Sequence, residues 1–214
     1  MKQMNLNYKA IVFDIDGCLI DSAPSLISTL DRAVFESGGG HHPEPYLRKM
    51  LGLPSSALDD LFDLPDWEHT LRLWSEYYAP VAFSSLPFDG IEPLLKAIKS
   101  AGLPLGVATG QSRAFYLEHF DRYDIARYFD LIVCADDVAQ PKPFADPLLH
   151  AAKVFSVSPA EILFLGDAPC DMECAHAAGA SGALAVWGPA DRTIPADHYP
   201  ETPLDVLSII GLSK

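Results

Sequence analysis

The ten residues from Phe13 to Ser22, Phe-Asp-Ile-Asp-Gly-Cys-Leu-Ile-Asp-Ser, constrain this chain more than any other stretch. The apolar segment Ala10 to Phe13 leads into them and reads as a buried strand. The strand runs out into Asp14 and Asp16, two acids on one turn, with Gly17 directly behind. Carboxylates that close repel, and a bound cation is the simplest relief. Gly17 lets the backbone turn sharply and lets a ligand approach. The loop therefore reads as a metal-dependent site for moving a phosphoryl group. The rest of the chain should supply its other parts or cover it.

Beyond this loop the pattern divides in two. Residues 22–86 read as helical throughout. Leu26, Ile27, Leu30, Val34 and Phe35 recur at helical spacing behind Pro24, and Gly38-Gly39-Gly40 ends that helix. Shorter helices follow around Tyr46 to Leu51, Ser56 to Phe62 and Asp66 to Val81, with Gly52-Leu53-Pro54 as a break. Four or five short helices in a row predict a small bundle. From residue 87 strands and helices alternate. Strands are expected at 103–109, 131–134, 162–165 and 183–186, with helices at 90–101, 112–120, 146–155, 171–178 and 202–210. That alternation predicts an α/β fold, a Rossmann-like parallel sheet with helices on both faces. The division is thus a core of residues 1–21 and 87–214 with an inserted all-helical subdomain of residues 22–86.

Ligands of such sheets bind at the carboxyl ends of the strands. Those ends carry Asp14 and Asp16, then Thr109 with Gly110, then Lys142 between Pro141 and Pro143, then Asp167 with Asp171 four residues on. There is no Ser-His-Asp arrangement, no G-x-x-x-x-G-K-[ST] loop and no G-x-G-x-x-G after a strand. Acyl hydrolases, Walker-type NTPases and dinucleotide enzymes lack support. Carboxylates, a hydroxyl and a lysine suit attack of a carboxylate on phosphorus. A divalent cation removes the repulsion between the two anions, and Mg²⁺ prefers such oxygen ligands. An ammonium and a hydroxyl can hold the transferring oxygens. A second acid can protonate the leaving oxygen.

Charge and cysteine content narrow the partners. The 214 residues carry a formal net charge of −14, and the pI is about 4.7. Such an acidic chain repels nucleic acid and anionic lipid. No apolar run reaches the ~18 residues of a membrane span. Met1 to Asn7 is polar and lacks the apolar centre of a signal peptide, so a cytoplasmic location is expected. Cys18, Cys134, Cys170 and Cys174 form no C-x-x-C pair, and Cys170, Cys174 and His176 are not spaced for zinc. His41 and His42, beside three glycines, read as a mobile solvated loop. Trp67, Trp74, Tyr77 and Tyr78 recur at helical spacing and read as core of the helical insertion.

Four segments in order resemble the haloacid dehalogenase superfamily. Asp14-Ile15-Asp16-Gly17-Cys18-Leu19-Ile20-Asp21-Ser22 resembles its first motif, D-x-D-G-x-[LV]-x-D-S. Thr109 matches the second motif, Lys142 the third, and Gly166-Asp167-Ala168-Pro169-Cys170-Asp171 with Ala177-Ala178-Gly179 the fourth. The helical insertion is similar to the small cap of the branch that holds phosphoglycolate phosphatases and β-phosphoglucomutases. The resemblance implies Asp14 as nucleophile and Asp16 as general acid and base that also gives a main-chain carbonyl to Mg²⁺. It implies Thr109 and Lys142 as phosphoryl binders, Asp167 as a metal ligand and Asp171 as a ligand or its support. Asp16, which dehalogenases lack, points to a phosphate ester. The implied activity is hydrolysis of a small phosphorylated metabolite, phosphoglycolate- or sugar-phosphate-like, by a monomer or homodimer. The alternatives are a phosphomutase or phosphotransferase, or a non-catalytic binding protein. Arg48 and the Gly52-Leu53-Pro54 turn lie where a substrate-selecting loop is expected, and Lys49 is the lysine of the cap. The third motif departs from K-P-x-P by one extra residue. Gly110-Gln111 stands where Asn or Ser is frequent, so the N–H groups of Gly110 and Gln111 are expected to hold phosphate.

Overall fold

A computed structural model describes residues 8–48, 50–51, 53, 55–62, 64–188 and 190–212. Met1 to Asn7, Lys49, Gly52 and Pro54, on which some expectations rest, lie outside them. The strands are β1 (Ala10–Phe13), β2 (Leu105–Ala108), β3 (Leu131–Val133), β4 (Ile162–Gly166) and β5 (Ser181–Leu184). They form one parallel sheet in the order β3-β2-β1-β4-β5. Every residue of β1, β2 and β4 is buried, as their unbroken apolar runs require when helices cover both faces.

The helices of this part are α5 (Ile91–Ser100), α6 (Arg113–His119), α7 (Asp146–Phe155), α8 (Pro169–Ala178) and α9 (Asp205–Ile209). Ile91, Leu94, Leu95 and Ile98 of α5 sit with Phe13, Leu105 and Leu165 in one buried cluster. Leu148 and Ala151 of α7 and Cys174 and Ala175 of α8 pack on Val12, Ala108 and Phe164 in another. β5 begins two residues before its expected start. Ser181 and Gly182 are poor strand formers by composition. A Cβ at Gly182 would stand 2.9 Å from Met172 Sδ on α8, so a larger residue there would make the Met172 side chain shift.

Between β1 and α5 lie α1 (Ala23–Glu36), α2 (Glu44–Arg48), α3 (Ser55–Phe62), α4 (Trp67–Tyr78) and a 3₁₀ turn, Ala82–Ser84. Pro24 suits the first turn of α1, where its missing N–H costs no bond. Asp66 caps α4 by accepting from His69 N–H at 2.9 Å. Leu26, Ile27, Leu30 and Val34 of α1 bury against Leu47, Leu58, Phe62, Trp67 and Tyr78. This helical layer thus has a hydrophobic cluster of its own, against which Phe115 of α6 also packs. His41 and His42 lie in a loop, as expected, with His41 exposed and His42 half-buried, and the loop is tied to α1. The His41 ring bonds Asp31 Oδ2 at 2.7 Å and stacks on Phe35, and the His42 N–H donates to Asp31 Oδ1 at 2.8 Å.

The two connections to the insertion leave the sheet side by side. Ile20 pairs antiparallel with Pro87, Asp21 N–H donates to Leu86 O at 2.9 Å, and Phe88 N–H donates to Leu19 O at 3.1 Å. Tyr123 holds the returning connection from below, its hydroxyl donating to Ser85 O at 2.7 Å.

Candidate active site

The register of the central strands lines up the predicted residues. Phe13 lies opposite Val107 on one side and Leu165 on the other. Asp14 therefore stands on the rung of Ala108 and Gly166, and Thr109 and Asp167 follow one residue on. Asp14 N–H closes the ladder on Leu165 O at 2.7 Å, and Thr109 N–H on Val133 O at 3.0 Å. The carboxyl ends of three adjacent strands thus present two carboxylates and a hydroxyl to one point.

Glycine makes room for that convergence. Gly17 has φ +80°, and a Cβ on it would overlap the Asp167 carboxylate. A Cβ on Gly166 would overlap the Asp171 carboxylate. Both positions exclude any side chain. The loop after β5 braces the other side, with Trp187 Nε1 donating to Cys18 O at 2.9 Å.

Lys142 sits beneath Asp14. Its Nζ is 2.8 Å from Asp14 Oδ1 and 2.6 Å from Asp171 Oδ1, with all three side chains almost fully buried. Asp171 Oδ2 accepts the N–H groups of Asp167 at 3.1 Å and Ala168 at 3.0 Å, at the start of α8. Asp171 is therefore engaged on both oxygens and anchors Lys142 and the loop of Asp167. Among the described residues no donor reaches the Asp167 carboxylate. Asp14, Asp167 and Asp171 each place an oxygen within 4.8 Å of the others.

Asp16 points the other way along the loop. Its Oδ1 accepts from Ser22 Oγ and its Oδ2 from Gln111 Nε2, each at 2.6 Å. The Gln111 main-chain N–H donates to Thr109 Oγ1 at 3.2 Å, so it is turned to the hydroxyl rather than to open space. The side chain of Gln111 and the hydroxyl of Ser22 are the contacts sequence reasoning missed. Ser22 closes the first motif, which was a visible signal, whereas nothing in the sequence aims Gln111 at Asp16.

Electrostatics follow from burial. Loss of water pushes the Asp14 carboxyl up to about 7, even against the attraction of Lys142. Burial and the neighbouring Asp171 and Asp14 push Asp167 well above the carboxylate range. Burial also raises Asp16, opposed by the hydrogen bonds from Ser22 and Gln111. Burial pulls Lys142 down, but Asp14 and Asp171 outweigh it and push its ammonium well above the ordinary lysine value. Cys18 and Cys170 lie close by, and burial pushes both thiols well up, so neither supplies a thiolate. One ammonium thus faces three carboxylates, Asp14 and Asp171 buried and Asp167 half-buried. A divalent cation would bring the group to balance, and all-oxygen donors suit Mg²⁺.

A cavity of about 260 Å³ opens above Asp14 and Asp16. Thr109, Gly110 and Gln111 form its floor, and α1, α4 and α6 supply much of its wall. Trp74 and Tyr78, expected only as core, also line it. Arg48 is not in its lining. It pairs with Glu44 at 2.5 Å one helical turn away, so the structure does not bring it to the other site residues.

Comparison with known proteins agrees with this arrangement. Residues 11–185 match the family profile of the haloacid dehalogenase-like hydrolases. A phosphoglycolate phosphatase of Shigella boydii is 31% identical over 210 residues, covering 84% of this chain and 82% of its own. The fold of a Lactobacillus plantarum protein assigned as a phosphoglycolate phosphatase superimposes with a TM-score of 0.85 at 26% identity, over 95% of this chain and 100% of that one. A Thermotoga maritima protein assigned as a β-phosphoglucomutase gives 0.72 at 25% identity, over 94% and 99%. With its sheet order, its four strand-end motifs and these relatives in agreement, the chain belongs to the haloacid dehalogenase-like hydrolase family.

Proposed function

We propose that this protein is a Mg²⁺-dependent phosphatase that hydrolyses a small phosphorylated metabolite through a phosphoryl group carried on Asp14. The observation that carries this reading is the pairing of the buried Asp14 with Lys142 at 2.8 Å beside Asp167 and Asp171.

The Asp14 carboxylate attacks phosphorus, and the ester P–O bond breaks as the new P–O bond forms. Lys142 holds Asp14 on one side and shares the charge of the phosphoryl oxygens, and Thr109 donates its hydroxyl to one of them. Asp16 passes its proton to the departing alkoxide. It then takes a proton from the water that frees phosphate from Asp14. Hydrogen bonds from Ser22 and Gln111 hold Asp16 in place for both steps. Asp14, Asp167 and the main-chain carbonyl of Asp16 would hold Mg²⁺, which supplies positive charge between nucleophile and phosphate. Asp171 holds Lys142 and the Asp167 loop rather than the ion.

Residues 22–86 act as a cap that covers the site and excludes bulk water while the phosphoryl group is in transit. The apolar wall it supplies has few partners for sugar hydroxyls, which favours water over a sugar as acceptor. Among the described residues no helix is long and apolar enough to cross a membrane.

The test is phosphate release from p-nitrophenyl phosphate. EDTA should stop it and Mg²⁺ restore it, and Asp14→Asn should lower it by at least about 10⁴-fold with the circular dichroism unchanged. Release that persists in that variant would remove Asp14 as nucleophile, and release indifferent to EDTA would remove the metal.

A further inference from the structure

The cavity has two unlike ends. At the floor are the two aspartates, Thr109 and the Gly110-Gln111 turn. The opposite wall is built from Leu26, Leu58, Leu71, Trp74, Tyr78 and Phe115. Leu26, Leu58 and Tyr78 are themselves buried, so this is a formed surface. The one donor of the Trp74 ring is spent within the wall, donating to Thr29 Oγ1 at 3.1 Å, which leaves its carbon face to the cavity. Among the described residues that line the cavity there is no Lys, Arg or His. Lys142, the cation beneath the floor, is already held between Asp14 and Asp171.

A leaving group with its own carboxylate would enter this wall without a counter-charge. An unpaired carboxylate loses several kcal/mol on leaving water, and the acidic floor adds to that. An apolar group gains on making the same move, about 25 cal/mol for each Å² it removes from water. Size agrees. An apolar cavity of ~150 Å³ takes up benzene, and about 260 Å³ holds a phosphoryl group with a ring or short branched chain beyond it.

Resting on the phosphatase reading above, we propose that the preferred substrates are phosphomonoesters of uncharged, apolar alcohols, with an aromatic ring or branched alkyl group against the cap wall. The reaction consumes one water and yields the free alcohol and inorganic phosphate. The ester P–O bond breaks, and the proton from Asp16 ends on the alcohol oxygen.

The test compares kcat/KM of the full-length enzyme with Mg²⁺ for benzyl phosphate, 3-methylbutyl phosphate and 2-phosphoglycolate, read as phosphate release. Neither apolar alcohol is a better leaving group than glycolate, so a preference reports binding. Both apolar esters should exceed 2-phosphoglycolate by roughly tenfold, the span that pocket contacts of this kind confer. A ratio below about threefold overturns the proposal. Leu71→Arg, which sets a cation in the wall, should raise KM for benzyl phosphate roughly tenfold and lower it for 2-phosphoglycolate. An unchanged preference in that folded variant also overturns it. Absence of release from all three esters and from p-nitrophenyl phosphate sinks the phosphatase reading itself. Release from 2-phosphoglycolate alone sinks only the substrate class.

Discussion

The sheet end and the cap wall face each other across one cavity and are made on opposite principles. At the sheet end Asp14, Asp16, Lys142 and Asp171 each have a named polar partner, and Asp167 is held through its main-chain N–H. Asp14 is held by Lys142, Lys142 by Asp171, Asp171 by two N–H groups, and Asp16 by Ser22 and Gln111. A buried network of this kind tolerates no missing member, because each loss leaves another group unsatisfied. The cap wall is apolar, and apolar packing is non-directional. It accepts changes of shape at modest cost so long as volume is kept. On the proposed function, the first region carries the chemistry and the second the choice of substrate.

Three substitutions would break or sharpen that division. Asp16→Asn keeps the volume and removes the transferable proton. It should lower kcat by about 10²–10⁴-fold, with substrate binding little changed. A KM effect alone would move Asp16 from chemistry to binding. Lys142→Ala leaves Asp14 and Asp171 buried without their counter-charge, so unfolding in urea should show a loss of about 3–5 kcal/mol. A variant as stable as the parent would mean that water enters the network and that its burial is overstated. Arg48→Ala gives up an ion pair on the cap. It should change stability by less than about 1 kcal/mol and leave turnover almost untouched. A fall in turnover beyond about tenfold would return Arg48 to the site and give the cap a polar reading element.

Much of the sheet end was legible in the sequence. The motifs at the ends of β1, β2 and β4 depend on local chain order, and parallel strands in register bring them together with no further information. The positions of Asp14, Thr109 and Asp167 follow from that, whereas Lys142 comes from the loop between β3 and α7. The supports of Asp16 were harder to see. Gln111 is 95 residues away from it in the chain, and its side chain reaches Asp16 while its N–H turns to Thr109. No periodicity encodes such a choice. The cap was legible as helices but not as a surface. Trp74 and Tyr78 recur at helical spacing whether they face a neighbouring helix or a cavity. Arg48 stood near the expected loop in sequence, yet Glu44 lies one helical turn away, and an i,i+4 pair forms first. β5 starts earlier than expected because Ser181 and Gly182 pair with Leu163 and Phe164 of β4, a tertiary demand that strand propensity does not contain.

The paired departure and return of the chain, at Ile20 with Pro87 and Asp21 with Leu86, has a consequence for how such proteins diversify. To the sheet, the whole insertion is one loop whose ends are already tied. Doubling the length of a tied loop costs only about 0.6 kcal/mol in closure entropy. On that count a change in the length of the insertion costs the strand register that aligns Asp14, Thr109 and Asp167 little. If the proposed function holds, the reactive machinery lies on one side of a graft junction and the selectivity on the other.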